Sequence, residues 1–208
     1  MYRRRLKHSP VKNIFRFASA KMSAVVTVES SLEFDTCFHL EYSRDIASFE
    51  AQPEGFYYTF EGKLLPYTPD FKVQHRQQGT QFIEIKPHEK TLNQYFRTRF
   101  QAKQLAAQDK GLTLILVTDR QVCVYPILGN LKLLHRYSGF QSTTSLHLQL
   151  LEAVERYGVT TLLNLVRSTG IRQGEVLSSI LSLIASGKLD SNLVDQDFGL
   201  DSEVWSVQ

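Results

Sequence analysis

The sequence predicts an α/β protein in which helices flank a mixed-sheet core, followed by a C-terminal winged-helix-like α domain. Three observations carry this. Five short β-rich runs lie between residues 46 and 86, separated by glycine turns. An amphipathic helix pattern over 91–108 leads straight into the apolar run LTLILV at 112–117. After about residue 145 the texture changes to three helical segments, each closed by a glycine. With 208 residues, 42% hydrophobic and 22% charged, the chain is long enough to bury a core. No apolar run approaches the ~20 residues that a membrane span needs. The two cysteines, Cys37 and Cys123, cannot build a disulfide framework and, embedded in apolar stretches, read as reduced core thiols of a cytosolic protein.

Each element has its own warrant. AVVTV at 24–28 reads as a short strand or the tail of a loop. Ser30 followed by Glu33 is a capping box, so a helix runs from there to about Tyr42 with Phe34, Cys37, Phe38 and Tyr42 inward. Strands are expected at 46–49, 56–61, 63–67, 71–75 and 81–86, with turns at Glu61-Gly62-Lys63 and Gln77-Gln78-Gly79. Helix 91–108 has Leu92, Tyr95, Ala102 and Leu105 as its apolar stripe and Gly111 as its stop. The run at 112–117 has the continuous apolar character of a buried central strand, with a shorter neighbour at 122–125. Helices over 146–157, 160–168 and 172–186 end at Gly158, Gly170 and Gly187, and a strand-like close follows at 189–194 and Val204-Trp205. The expected organisation is a basic arm at 1–22, a core domain at 23–138, a linker at 139–145 and the winged-helix-like domain at 146–208.

The net charge of +3 conceals an asymmetry. Residues 1–28 contain no acid and seven cations, Arg3, Arg4, Arg5, Lys7, Lys12, Arg16 and Lys21. Such an arm is a footprint for a polyanion, usually nucleic acid; a solvated tail and an organelle transit peptide are the competing readings. Residues 140–208 carry four basic and eight acidic residues, so condensed phosphate would repel most of that module and it reads as a protein-docking domain.

The chemistry concentrates in Tyr67-Thr68-Pro69-Asp70-Phe71 and Phe82-Ile83-Glu84-Ile85-Lys86-Pro87. Glu84 and Lys86 lie two apart on a strand and share a face. A turn near Gly79 brings Asp70, at the head of the partner strand, close to Glu84. Two carboxylates at that separation repel unless a divalent cation neutralises them. Hard oxygen donors suit magnesium, and an adjacent lysine can orient water and stabilise charge on phosphate, which together suit phosphodiester hydrolysis. An ExK triplet by itself is expected by chance, so its strand context carries the weight. No histidine pair, His75 and His88 included, has the helical spacing of a zinc site.

These residues resemble the PD-(D/E)xK nuclease superfamily, and more narrowly the TnsA-type endonucleases of cut-and-paste transposons. The resemblance runs over about residues 29–120 through ESSLEF at 29, LEY at 40, IASFEAQP at 46, YTPDF at 67, IEIKP at 83 and LVTD at 116. It implies a restriction-endonuclease-like core and a Mg²⁺ site, with Mn²⁺ substituting. By position, Glu33 (rather than Glu29) would be the helical ligand, Asp70 the central ligand, Glu84 the second strand ligand beside the Ile85 carbonyl, and Lys86 the catalytic lysine. It also implies cleavage of the 5′ ends of an element. The implied partners are double-stranded DNA at the transposon ends, a DDE transposase (TnsB-like) and an AAA+ ATPase (TnsC-like), in a bacterial cytoplasm and with no membrane. Gln52 matches a glutamine of the family and is expected to anchor its loop.

From Lys86 to Lys110 there are six basic and two acidic residues. Lys90, Arg97, Arg99 and Lys103 are therefore candidate DNA contacts, together with Arg3, Arg4 and Arg5. Two alternatives remain: a free-standing restriction or repair nuclease of the same fold, and a non-catalytic DNA and protein adaptor.

Overall fold

The computed structural model describes residues 13–139 and 143–207; Arg3, Arg4 and Arg5 lie outside them. The chain divides into two compact units at the Cys123–Val124 bond.

The first unit opens with an antiparallel hairpin, β1 (Phe15–Ser19) and β2 (Ala24–Val28). Helix α1 (Ser31–Tyr42) follows, with Ser30 as N-cap accepting from the Glu33 amide. Next come β3 (Ile46–Ala51), the hairpin β4 (Phe56–Phe60) and β5 (Lys63–Tyr67), then β6 (Phe71–His75) and β7 (Gly79–Lys86). Two helices, α2 (His88–Thr91) and α3 (Gln94–Gln108), lead to β8 (Thr113–Thr118) and the one-turn α4 (Asp119–Val122). The main sheet has the order β3-β6-β7-β8. Its first three strands are antiparallel and β7–β8 is parallel, with α2 and α3 forming the crossover that a parallel pair requires. The mixed sheet with flanking helices is the expected α/β core.

The hairpin β1–β2 begins inside the stretch expected to be a basic arm. Phe17 is buried and meets Phe34 and Phe38 edge-on at 5.9 and 5.1 Å. Lys21 is not free to meet a polyanion. Its Nζ donates to the carbonyls of Leu40, Ser43 and Ile46 at 2.7, 2.7 and 2.9 Å, closing the C-terminal end of α1.

Several local expectations need correction. The helix expected over 91–108 is broken at Leu92 and Asn93, where Asn93 becomes the N-cap of α3 and accepts from the Tyr95 amide. The face that α3 buries is also shifted, with Ala102 alone of the expected stripe packing inward. Leu92, Tyr95 and Leu105 are more than half exposed, whereas Phe96, Phe100 and Ala107 pack on the β4–β5 aromatics Phe56, Tyr58 and Phe60. Two stacked phenylalanines, 5.9 Å apart, cover more of that aromatic wall than a leucine stripe would. The run at 112–117 is an edge strand and not a central one: β8 pairs only with β7, and only Leu114 and Thr118 along it are buried. No strand follows at 122–125. Thr118 and Gln121 form a capping box, and the Thr118 amide and hydroxyl both donate to Gln121 Oε1, turning the chain into α4.

The second unit contains α5 (Ile127–Arg136), α6 (Ser145–Tyr157), β9 (Thr160–Thr161), α7 (Leu162–Thr169), α8 (Gln173–Ala185), β10 (Leu189–Ser191) and β11 (Glu203–Ser206). The three strands form an antiparallel sheet in the order β10-β11-β9. Gly170 ends α7 in the left-handed conformation, φ 70°, that glycine adopts without strain. Helix α5 belongs here and not to the preceding domain. The Asn130 side-chain Nδ2 donates to the carbonyls of Leu193 and Gln196, and its Oδ1 accepts from the Phe198 backbone amide. These three bonds tie α5 to the second compact unit, which begins at Val124, N-terminal to the stretch expected as a linker.

Candidate active site

The register of the β6–β7 hairpin builds the site. Phe71 stands opposite Ile83, so Asp70 and Glu84 are the next pair toward the open end. The Asp70 amide donates to the Ile83 carbonyl at 3.0 Å, and the Gln52 amide donates to the Asp70 carbonyl at 2.9 Å, fixing the Asp70 backbone from both sides. Gln52 holds φ 50° to do so. Its loop-anchoring bond therefore comes from the backbone; the side-chain Oε1 is buried without a partner. Gly55 lets the next loop pass close to the site, since a Cβ there would stand 2.1 Å from the Tyr67 carbonyl oxygen.

Asp70 and Glu84 are both buried. Asp70 Oδ2 accepts from the Ile85 amide at 2.7 Å. The Lys86 ammonium sits over three oxygens at once: Asp70 Oδ2 at 3.3 Å, Glu84 Oε1 at 3.2 Å and the Ile85 carbonyl at 2.9 Å. Glu84 has further partners. Tyr67 donates its phenol to Oε2 at 2.5 Å, and the Lys103 ammonium reaches Oε1 at 3.3 Å while lying 4.0 Å over the Tyr67 ring.

The electrostatics follow from this arrangement. Burial pushes the Asp70 carboxyl up to about 6; Lys86 opposes that, and the charges of Glu84 and Glu33 add to it. Glu84 goes the other way: burial pushes it up, but Lys86, Lys103 and the Tyr67 phenol together bring it below the usual carboxylate range. Burial would lower Lys86, yet Asp70 and Glu84 raise it. At Lys103 desolvation outweighs the attraction of Glu84 and lowers it. Burial, then Glu84, keeps the Tyr67 phenol neutral far above its ordinary range. Two adjacent carboxylates with opposite shifts are the pattern that functional sites exploit.

Asp70, Glu84, Lys86 and the Ile85 carbonyl, named from the sequence, thus come together. Glu33 is buried and near enough for its charge to raise Asp70, but its hydrogen bonds go elsewhere. Its Oε1 accepts from the Ser30 hydroxyl at 2.8 Å and its Oε2 from the Glu29 amide at 3.1 Å, so both oxygens serve the N-terminus of α1. Among the described residues, no three His, Cys, Asp or Glu side chains converge as a metal-holding group. Of the candidate DNA contacts, Lys90 and Arg97 are exposed. Arg97 braces α2 against α3 through the Thr91 carbonyl at 3.1 Å. Arg99 is half-buried and donates to the Tyr58 phenol at 2.6 Å. Lys103 turns inward, its side chain 12% exposed. Sequence reasoning missed Lys103 and Tyr67 as partners of Glu84. The available signal was the spacing of Phe96, Phe100, Lys103 and Ala107, which puts a lysine on the buried stripe of α3.

A buried acidic pair with a lysine over it, on a mixed sheet, is the arrangement that hydrolytic sites use. Comparison narrows the class: residues 43–119 match the family model of the TnsA-like endonuclease N-terminal domain. The match begins after α1, takes in Asp70, Glu84, Lys86 and Lys103, and ends at Asp119, within the first unit. It relates this stretch to nucleases of transposition. No curated protein matches the chain.

Proposed function

We propose that the chain is a divalent-metal-dependent DNA endonuclease of the PD-(D/E)xK type that cuts one strand at each end of a cut-and-paste transposon. The observation that carries the reading is the clustering of two carboxylates and a backbone carbonyl around one ammonium group. The ammonium stands in for a cation. Three hard oxygens from the protein, with waters completing the shell, are a donor set that fits Mg²⁺, and Mn²⁺ in its place. Asp70, Glu84 and the Ile85 carbonyl would hold the ion. When bound, it would polarise the scissile phosphate and make its water more acidic.

The chain's own residues do the rest. Asp70 and Glu84 are fixed by the Ile85 amide and the Tyr67 phenol, so the acidic pair is preorganised. Lys86, about a third exposed at the mouth of the site, is placed to orient the attacking water and to stabilise charge on the phosphate. Water adds across one P–O bond, leaving one hydroxyl end and one phosphate end. Lys90 and Arg97 on the solvent face of α2 and α3 would hold flanking phosphates. The second unit, richer in acids than in bases, would be the winged-helix-like domain and would dock protein: a TnsB-like transposase and a TnsC-like AAA+ ATPase. Strand choice would then be delegated to those partners, and the isolated chain would cut poorly.

One observation favours a second reading, a non-catalytic adaptor: both Glu33 oxygens accept hydrogen bonds at the N-terminus of α1, and Asp70 and Glu84 are the carboxylates that meet at the lysine. Calorimetry of Mn²⁺ binding separates the two. The nuclease reading expects saturable binding that Asp70→Ala abolishes; no heat in either protein favours the adaptor.

A further inference from the structure

Two lysines reach Glu84 and they are not equivalent. Lys86 comes from the same strand, touches all three clustered oxygens and has 32% of its side chain exposed. Lys103 comes from α3, touches Glu84 alone among the acids, and lies over the Tyr67 ring. Tyr67 in turn donates to the other oxygen of Glu84. Both Glu84 oxygens therefore keep a donor when Lys86 is taken away. Asp70 Oδ2 likewise keeps the Ile85 amide. Lys86 is redundant for holding the carboxylates in place, and once it leaves, Lys103 is the ammonium that remains on Glu84 Oε1.

We propose that Lys103 is a positioning residue of the site: with Tyr67 it holds the Glu84 carboxylate in its present orientation, so that Lys86 can leave the three oxygens when a divalent cation takes its place. The inference rests on the metal-dependent reading above. It removes Lys103 from the set of phosphate contacts, because an ammonium paired to a buried carboxylate and packed on a ring is not offered to DNA. It also makes α3 a part of the site and not only its cover.

The sign of one measurement separates this role from simple charge balance. Deleting a positive charge beside a cation site should, by Coulomb's law alone, tighten cation binding. Without the Lys103 ammonium, Tyr67 alone holds Glu84 once Lys86 has left, the carboxylate is free to turn away from the cation, and binding should weaken. The probe is Mn²⁺ alone, titrated by calorimetry into the full chain. Lys103→Met, which keeps the stem on Tyr67, is expected to bind Mn²⁺ about tenfold more weakly, the scale of loss found when a group orienting a metal ligand is removed. Lys103→Arg should recover most of that affinity. Tyr67→Phe, which keeps the ring, should weaken binding in the same direction. DNA affinity in EDTA, and its salt slope, should be unchanged in Lys103→Met. Equal or tighter Mn²⁺ binding by Lys103→Met overturns the proposal, as does a loss of DNA affinity with a shallower salt slope. If wild type binds Mn²⁺, Asp70→Ala does not and Lys103→Met binds like wild type, only the Lys103 assignment fails. If wild type and Asp70→Ala alike take up no Mn²⁺, the nuclease reading fails and this inference with it.

Discussion

Asp70→Asn should stabilise the metal-free protein at neutral pH while removing its chemistry. The asparagine fits the site without a new clash. Asp70 Oδ2 takes both donors, the Ile85 amide and Lys86, so the amide oxygen can occupy that position and its nitrogen the other. The carboxyl is raised by burial from an ordinary 3.8 to about 6. A folded pKa above the unfolded one means that ionisation costs stability. The penalty is absent below about pH 4, develops as pH rises toward 6, and is complete above it. A shift of that size corresponds to ~3 kcal/mol, which for a chain of this length is a Tm difference on the order of 5–10 °C. Thermal unfolding of both proteins in EDTA between pH 3.5 and 7.5 measures it. Asp70→Asn should unfold at a higher temperature at pH 7.5, with the gap closing toward pH 3.5. Mn²⁺ at a hundred times its dissociation constant should then raise wild type by ~2.7 kcal/mol and leave Asp70→Asn unmoved. A variant no more stable than wild type at pH 7.5 would refute the idea that this carboxylate is held at a cost that a cation relieves.

Three further predictions rest on other residues. Glu33→Ala should cost ~1 kcal/mol by removing the reciprocal cap of α1, and Glu33→Gln should not; Mn²⁺ affinity should be the same in both, and a large loss in Glu33→Gln would restore Glu33 as a ligand. The double variant Lys90→Ala/Arg97→Ala should reduce the slope of log K against log salt for duplex DNA by about two, since each phosphate that a side chain neutralises contributes ~0.9; an unchanged slope would return both residues to a solvated helix face. Burial first, then the charges of Glu33, Glu41 and Asp35, push the Cys37 thiol up to about 12. Alkylation at pH 8 should therefore modify the exposed Cys123 in the folded protein and reach Cys37 only on unfolding, as followed by mass spectrometry.

What was legible in the sequence was local. Ser30 and Glu33 announced α1 because a capping box is contained in four residues. The alternation through Phe71–His75 and the turn at Gly79 fixed the hairpin register, and with it the meeting of Asp70 and Glu84. What was not legible depended on which surfaces meet. Helix α3 has two apolar stripes, and the choice between them was made by the aromatic wall of β4 and β5, remote in sequence. That choice turned Lys103 from a surface cation into a partner of Glu84. The apolar run of β8 resembled a central strand because helix packing covers part of an edge strand as well. Lys21 counted as free charge until three carbonyls at the end of α1 claimed it. Glu33 shows the reverse: the local signal of a cap and the resemblance to a ligand competed for one carboxylate, and its hydrogen bonds go to the cap.

The central claim is that Asp70, Glu84 and Lys86 form the hydrolytic centre of an endonuclease. The most direct measurement is strand scission at both ends of a transposon in Mg²⁺, with the chain reconstituted alongside the proposed partners, a TnsB-like transposase and a TnsC-like ATPase, and the products resolved by strand. Wild type should cut one strand at each end, and Asp70→Ala and Lys86→Ala should each lose that cut while the transposase still cuts the other strand. Normal cutting of both strands by either variant would contradict the account.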